Sequence, residues 1–114
     1  MYRQVRFNKY GNTRQTYNGY SYMSKLEANY AYELDMRLKA KQIKAWDKQH
    51  KISFDVNGKH ICNYYVDFIV YHNDDTIELV ECKGMETDIW KLKRRLLEVL
   101  FLPEHPEYSY TVVK

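Results

Sequence analysis

The sequence has few cysteine, glycine and proline residues: 2, 4 and 2 respectively among 114. Two cysteines exclude a disulfide-rich scaffold, and because both lie within apolar runs, we expect Cys62 and Cys82 to be reduced, buried thiols. The glycines form no phosphate-binding loop, so we expect no nucleotide cofactor. The 4 histidines are scattered without metal-ligand spacing, which argues against a zinc site and a histidine-based nuclease motif.

Long hydrophobic runs are also absent. No stretch approaches the roughly 20 apolar residues that span a bilayer, and residues 1–10 lack the apolar centre of a signal peptide. We therefore expect an intracellular protein with no membrane partner.

The charge balance is only mildly basic, with 18 lysines and arginines against 15 acidic residues and a formal net charge of +3. Such a balance permits nucleic-acid binding, but affinity for phosphates depends on where the charges cluster. The length of 114 residues and the hydrophobic content of 45% suit one compact domain, so we predict a single domain over residues 1–114.

Residues 1–20 combine basic and aromatic side chains without an apolar period, and we interpret them as a basic, aromatic arm preceding a core at residues 21–114. Tyrosines of this arm are able to stack on bases while its arginines meet phosphates. A tail with no partner explains the same composition. The arginines assigned to DNA contact are Arg3, Arg6 and Arg14.

The remaining chain predicts the order helix, three strands, helix, strand, which is a mixed α/β (α+β) fold. Ser24 and Glu27 have capping-box spacing at the start of a helix over residues 24–41. A strand begins at His50, Asn57-Gly58 turns the chain, and strands over residues 59–71 and 76–83 follow as an antiparallel set. The second helix starts at a Thr87 cap and ends at Pro103, its apolar period is Ile89, Leu92, Leu96 and Leu100, and a last strand covers 108–113.

Two carboxylates and one amine converge in this arrangement. Side chains alternate along the third strand, so Glu81 and Lys83 share a face, and the turn near residue 74 brings Asp67 alongside Glu81. A charged Asp67 within an apolar strand is costly unless it is paired or bound to a cation, and adjacent carboxylates suit Mg²⁺. The alternative is an Asp67–Lys83 ion pair with Glu81 as a solvated edge residue. Glu27 flanks the buried stripe of the first helix and favours the site interpretation, although it also suits a capping role.

The segments Val66-Asp67 and Glu81-Cys82-Lys83 resemble the signature of the PD-(D/E)xK nuclease superfamily, an acid on one strand followed by E-x-K on the next. Val66 stands where the name-giving proline would be, a proline that many members lack. The element order is similar to the restriction-endonuclease-like core, and the superfamily's additional acid on the first helix corresponds to Glu27. Gln49 resembles a polar position that approaches the active centre in similar nucleases.

Further blocks, residues 8–12, 24–28 and 83–87, are similar to small phage-encoded nucleases related to Holliday-junction resolvases and to the end-cleaving subunit of some transposons. The resemblance runs from about residue 8 to the end of the chain. It implies catalysis by Glu27, Asp67, Glu81 and Lys83, with Mg²⁺, replaceable by Mn²⁺, held by the three acids. It also implies a phage or prophage origin, and hence the cytoplasm of a bacterial host.

The sequence therefore predicts a Mg²⁺-dependent, structure-selective DNA endonuclease acting on Holliday junctions or other branched DNA. Cutting two opposed strands requires two active centres, so we expect a homodimer, for which an aromatic hairpin is candidate interface material, although core packing explains its rings equally well. A non-catalytic DNA-binding accessory module of recombination or replication, and a nuclease acting on linear DNA, remain alternatives. The hairpin residues are Tyr64, Tyr65 and Tyr71, and the helix residues assigned to DNA are Lys91, Lys93, Arg94 and Arg95.

Overall fold

The computed structural model describes residues 6–7, 13–17, 20–22 and 24–114, and the side chains of residue 22 and of residues 24–114. It divides into two compact units, Met1–Gln42 and Ile43–Lys114. The elements include two α-helices and a four-stranded sheet, so the predicted mixed α+β class is confirmed. The assignment of residues 1–114 to a single nuclease domain stays a prediction.

The first unit contains a small antiparallel sheet of three strands: β1 (Arg6–Phe7), β2 (Thr13–Tyr17) and β3 (Tyr20–Tyr22). The sequence predicted an arm here because the segment has no apolar period. That prediction missed the strands, since antiparallel pairing satisfies backbone N–H and C=O groups without requiring an apolar face.

The helix α1 (Lys25–Lys39) completes the first unit and lies within the predicted range of residues 24–41. Ser24 is its N-cap, and the Ser24 hydroxyl accepts a hydrogen bond of 3.1 Å from the backbone N–H of Glu27. Ala31 and Leu34 are fully buried, whereas Leu38 is exposed. The predicted N-terminal cap is therefore confirmed.

The second unit begins with a long hairpin of β4 (Ile43–Val56) and β5 (Lys59–His72). Asn57 and Gly58 form its turn with φ values of 52° and 78°, the left-handed conformation that the Asn-Gly pair predicted. The prediction that the first strand begins at His50 was wrong by seven residues. Residues 43–49 are rich in polar side chains, and their pairing with the buried half of β5 overrides that composition.

The sheet order of the second unit is β4-β5-β6-β7, with β6 (Ile77–Cys82) antiparallel to β5 and β7 (Tyr108–Val113) parallel to β6. The parallel pairing requires a crossover, which is supplied by α2 (Asp88–Leu96), a π-helical turn (Leu97–Phe101) and a 3₁₀ turn (Leu102–Glu104). The Thr87 hydroxyl caps α2 by accepting a hydrogen bond of 3.2 Å from the backbone N–H of Trp90, as predicted.

One face of this sheet forms a buried cluster with α2. The helix contributes Trp90 and the following π-helical turn contributes Leu97, whereas the predicted apolar residues Ile89 and Leu92 are exposed. The prediction of which side of α2 is buried was therefore wrong for the first turns of the helix. The large Trp90 ring takes the core position, because its indole N–H has a buried acceptor in the Tyr64 hydroxyl. The cluster consists of Ile52, Phe54, Tyr64, Val66, Ile69, Leu79, Trp90 and Leu97.

Cys62 and Cys82 are free thiols, with Cys82 buried and Cys62 partly buried. Within the part of the chain that the structure describes, no helix combines the length and apolar character needed to cross a membrane.

Candidate active site

The hairpin of β4 and β5 is irregular where the candidate site lies. Lys48 pairs with Phe68 and His50 pairs with Val66, so Gln49 and Asp67 face each other between these pairs. Gln49 has a φ of 56°, a left-handed conformation that is uncommon for a residue other than glycine. Such strain, of the order of 1–3 kcal/mol, often marks functional positions.

The alternation of side chains along β5 shifts at the same point. Val66 and Ile69 both belong to the buried cluster beneath α2, although regular alternation would place residues three apart on opposite faces. Phe68 instead packs edge-on against Trp46, with ring centroids 5.8 Å apart. The irregularity places Asp67 at the boundary between two regular strand segments.

Asp67 and Glu81 lie together where β5 and β6 stop pairing regularly. The regular ladder ends at Phe68 and Val80. Beyond it, the Cys82 backbone N–H donates a 2.9 Å hydrogen bond to Oδ2 of Asp67, and the Asp67 N–H lies 3.4 Å from Oε1 of Glu81. The prediction that Asp67 lies beside Glu81 is confirmed, whereas the convergence of their carboxylates on one ligand and their chemical role stay predictions.

Glu81 is held by a network of aromatic side chains under α2. The Tyr64 hydroxyl donates a hydrogen bond of 3.0 Å to Oε1 of Glu81. The same hydroxyl accepts a hydrogen bond of 3.2 Å from Nε1 of Trp90 and lies 2.9 Å from the Tyr110 hydroxyl. Burial, together with the nearby Glu81 charge, raises the pKa of Tyr64, so this hydroxyl stays protonated and serves as a donor.

Glu81 is a buried carboxylate, only 5% exposed. Burial raises the pKa of Glu81, while the Tyr64 hydrogen bond and the positive charge of Lys83 act in the opposite direction. Nζ of Lys83 lies 3.4 Å from Oε2 of Glu81. The alternative of an Asp67–Lys83 ion pair with a solvated Glu81 is thus wrong: Lys83 pairs with Glu81, and Glu81 is buried while Asp67 is partly exposed.

Tyr64, Glu81 and Lys83 line a cleft of about 260 Å³, and Asp67 is not among its lining residues. Lys83 and Lys93 both line this cleft with Glu81, and the Trp90 ring centroid lies 5.4 Å from the Lys83 ammonium. The cleft therefore combines one buried acid with two cations. Its lining consists of Tyr64, Tyr65, Glu81, Lys83, Thr87, Ile89, Trp90 and Lys93.

The other basic residues of α2 lie on a different cleft, of about 310 Å³. Lys91, Arg94 and Arg95 line it together with Trp90 and two acids, Glu86 and Glu98. Its charge is partly neutralised internally, because Arg94 lies 3.6 Å from Glu98. Among the four α2 residues assigned to DNA contact, the structure places only Lys93 at the Glu81 cleft.

The remaining predicted residues belong to the first unit. Glu27 lies on α1 and is buried, only 8% exposed. The backbones of Arg6 and Arg14 pair with each other across β1 and β2, and their side chains lie outside the described residues. Arg3 lies outside the described residues altogether. The proposed contacts of these arginines with DNA stay predictions.

The donor set suits a hard cation only in part. Over residues 24–114 and the shorter described stretches, no three His, Cys, Asp or Glu side chains form a group able to hold a metal ion. Asp67 and Glu81 nevertheless present two carboxylates on adjacent strands. Mg²⁺ commonly takes one or two protein carboxylates and completes its shell with water and phosphate oxygens, so this pair fits its chemistry.

Sequence reasoning missed the parts played by Tyr64, Trp90 and Tyr110 around Glu81. The sequence predicts Tyr64 as core or interface material and assigns no role to Trp90. The alternation of side chains along β5 shows which face each residue is on, but it does not connect the Tyr64 hydroxyl with a carboxylate 17 residues later. The available signal was the presence of hydroxyl and indole groups in otherwise apolar positions, because buried groups of this kind need partners.

The sequence model of one protein family, described as "Protein of unknown function (DUF1064)", matches residues 7–113. Neither the curated proteins nor the solved structures include a match to the chain. The family description gives no activity.

Proposed function

Because the chain belongs to the DUF1064 family of proteins of unknown function, we propose a function from its site: a Mg²⁺-dependent DNA endonuclease of the PD-(D/E)xK type. One observation carries the proposal. Asp67 and Glu81 meet between adjacent strands, and Glu81 opens, with Lys83 at 3.4 Å, onto a cleft that Lys93 also lines.

Asp67 and Glu81 are the residues that would hold the metal ion. When bound, Mg²⁺ would lower the pKa of a bound water and polarise the scissile phosphate. Glu27 is proposed as an additional acidic ligand on the strength of the sequence resemblance. Mn²⁺ has similar preferences for oxygen ligands and would substitute.

One side chain and one backbone group orient the two acids. Tyr64 fixes Oε1 of Glu81 through its hydroxyl, and the Cys82 N–H fixes Oδ2 of Asp67. The ammonium of Lys83 is able to neutralise charge that builds on the phosphate oxygens during attack by water. Lys93 supplies a second cation for the same phosphate or its neighbour.

The substrate and assembly follow from the resemblance to resolvases. We propose branched DNA, such as a Holliday junction, cut by a homodimer, because one small site is able to nick only one strand at a time. The restriction-endonuclease-like core is part of the same proposal. The four-stranded sheet with an antiparallel hairpin and one parallel edge strand supports it.

A second candidate function is a non-catalytic DNA-binding module. It is favoured by the engagement of the two acids in protein contacts, since Glu81 meets Tyr64 and Lys83 and Asp67 accepts from the Cys82 N–H. A purely structural role for these acids would leave the basic residues of α2 to bind phosphates without cleavage.

A cleavage assay separates these possibilities. Wild-type protein is incubated with a four-way junction, a flap, a linear duplex and a single strand of matched sequence, with Mg²⁺, Mn²⁺ or EDTA. We expect metal-dependent paired nicks in the junction. Cleavage without branch dependence would make the protein a nuclease of linear DNA, and binding without cleavage in either metal would establish the accessory module instead.

A further inference from the structure

The cleft next to Glu81 has an apolar rim that the proposed phosphate chemistry does not use. Tyr65 is 52% exposed and Ile89 is 69% exposed, and both line the cleft. Tyr65 stands on β5 directly after Tyr64, but its ring lies outside the buried cluster. Apolar side chains that are exposed together in a groove rimmed by polar groups mark binding sites more often than single exposed ones do.

The chemistry of the cleft matches the two halves of a nucleotide. Lys83 and Lys93 present ammonium groups to an anion, and Tyr65 presents an aromatic ring to a planar group. Proteins that bind single-stranded nucleic acid combine these features, with cations along the backbone and aromatic rings on which bases stack. Ile89 adds an aliphatic surface at the same rim.

The size of the cleft restricts the form of the nucleic acid. Its volume of about 260 Å³ is small, since pockets that enclose drug-sized ligands measure about 300–1,000 Å³. A base inside a duplex has both faces covered by its neighbours and presents none to a side chain, whereas an unpaired or flipped base does. The cleft therefore suits one nucleotide whose base is unpaired.

We propose that Tyr65 is a stacking platform for an unpaired base adjacent to the phosphate bound by Lys83 and Lys93. This inference rests on the proposed function for the identity of the ligand, and it deepens that function by naming the substrate class. The site would act at single-stranded segments, such as those at branch points and flaps, in preference to continuous duplex.

The test uses full-length protein carrying D67N, which removes a carboxylate charge while keeping an oxygen that is able to accept the Cys82 N–H bond. Binding is measured by fluorescence anisotropy with a single strand and with its duplex. A 2-aminopurine in the strand reports stacking by quenching. The variants are D67N, D67N/Y65A and D67N/Y65F, the last being the matched control because it keeps the ring.

Relative to D67N, we expect D67N/Y65A to bind the single strand about tenfold more weakly, because stacking of one base on an aromatic ring contributes to affinity on that order. Part of the 2-aminopurine quenching should also be lost. Y65F should match D67N alone, and duplex binding should change by less than about twofold. Equal single-strand affinity for Y65A and Y65F, or equal losses on single strand and duplex, would overturn the proposal. Circular dichroism establishes that each variant is folded.

The failure of this inference is distinguishable from failure of the proposed function. If wild-type protein cleaves DNA but D67N/Y65A binds single strands as tightly as D67N does, the stacking role of Tyr65 is refuted and the proposed nuclease activity is retained. If wild-type protein never cleaves, yet Tyr65 determines single-strand binding and quenching, the stacking platform stands on a binding module.

Discussion

The Tyr64 hydroxyl donates a hydrogen bond of 3.0 Å to Oε1 of Glu81, which joins a tyrosine of the hairpin to a buried carboxylate of the neighbouring strand. The same hydroxyl accepts a hydrogen bond from the indole N–H of Trp90, so one oxygen atom links β5, β6 and α2. This arrangement makes the orientation of Glu81 dependent on the packing of the helix. The site is consequently sensitive to a change that removes a single oxygen atom.

Y64F is expected to lower both stability and activity. The Trp90 indole N–H loses the Tyr64 oxygen as acceptor, and Oε1 of Glu81 loses its shorter hydrogen bond and keeps the 3.4 Å contact with the Asp67 N–H. Loss of such buried hydrogen bonds costs about 1–3 kcal/mol. Loss of a group that orients a metal ligand typically lowers metal affinity about tenfold or more, so the Mg²⁺ concentration for half-maximal cleavage should rise. Y71F is the control, because Tyr71 packs at the edge of the same cluster. An unchanged Mg²⁺ requirement in Y64F would contradict the orienting role.

E81Q is expected to raise stability at neutral pH in the presence of EDTA. Burial raises the pKa of Glu81 above its unfolded value, so the folded state prefers the protonated acid, and stability is lost as pH rises from about 4.3 through the raised pKa. Glutamine carries no charge at any pH and therefore removes this loss. Thermal unfolding of wild type and E81Q between pH 4 and pH 8 should show curves that converge at the acidic end. A gap that is constant with pH would refute the assignment.

Substitutions of Gln49 test the left-handed backbone opposite Asp67. Glycine adopts the observed φ of 56° without steric cost, whereas a β-branched side chain does not. Q49G should therefore match or exceed wild-type stability, and Q49V should lose about 1–3 kcal/mol, even though valine is the better strand former. Urea unfolding measures both. Greater stability of Q49V than of Q49G would show that β4 is regular at this point.

Lys93 and Lys91 are a matched pair on α2 that the structure assigns to different clefts. K93Q should slow cleavage by about three- to tenfold and reduce the slope of log affinity against log salt by about 1, as expected for one lost phosphate contact. K91Q should leave the cleavage rate closer to that of wild type. Equal effects of the two substitutions would place the substrate across both clefts.

Much of the second unit was predictable from the sequence because its signals are local. The Asn57-Gly58 turn, the Thr87 cap and the last strand at Tyr108–Val113 each depend on a few neighbouring residues. The alternation of side chains along a strand also predicted Glu81 and Lys83 on one face, and the turn near residue 74 predicted Asp67 beside them. These predictions used only chain geometry and turn chemistry.

The remaining features depend on contacts between distant segments. The early start of β4 at Ile43 comes from pairing with β5 rather than from its own composition. Trp90 displaces Ile89 from the core because Tyr64, 26 residues earlier, offers an acceptor for its N–H. The left-handed Gln49 has no local sequence signal, since glutamine is not a residue that favours positive φ.

The most direct test of the central claim is the single-turnover rate of DNA cleavage by wild type, D67N and D47N in Mg²⁺. Asp47 is the control because it is an exposed aspartate of the neighbouring strand, pairs with Ile69 and not with Asp67, and accepts the adjacent Lys48 N–H. We expect wild type and D47N to cleave at similar rates, and D67N to lose about a thousandfold or more while still binding DNA. Equal cleavage by D67N and wild type, or no cleavage by any of the three, would contradict a metal-dependent nuclease centred on Asp67 and Glu81.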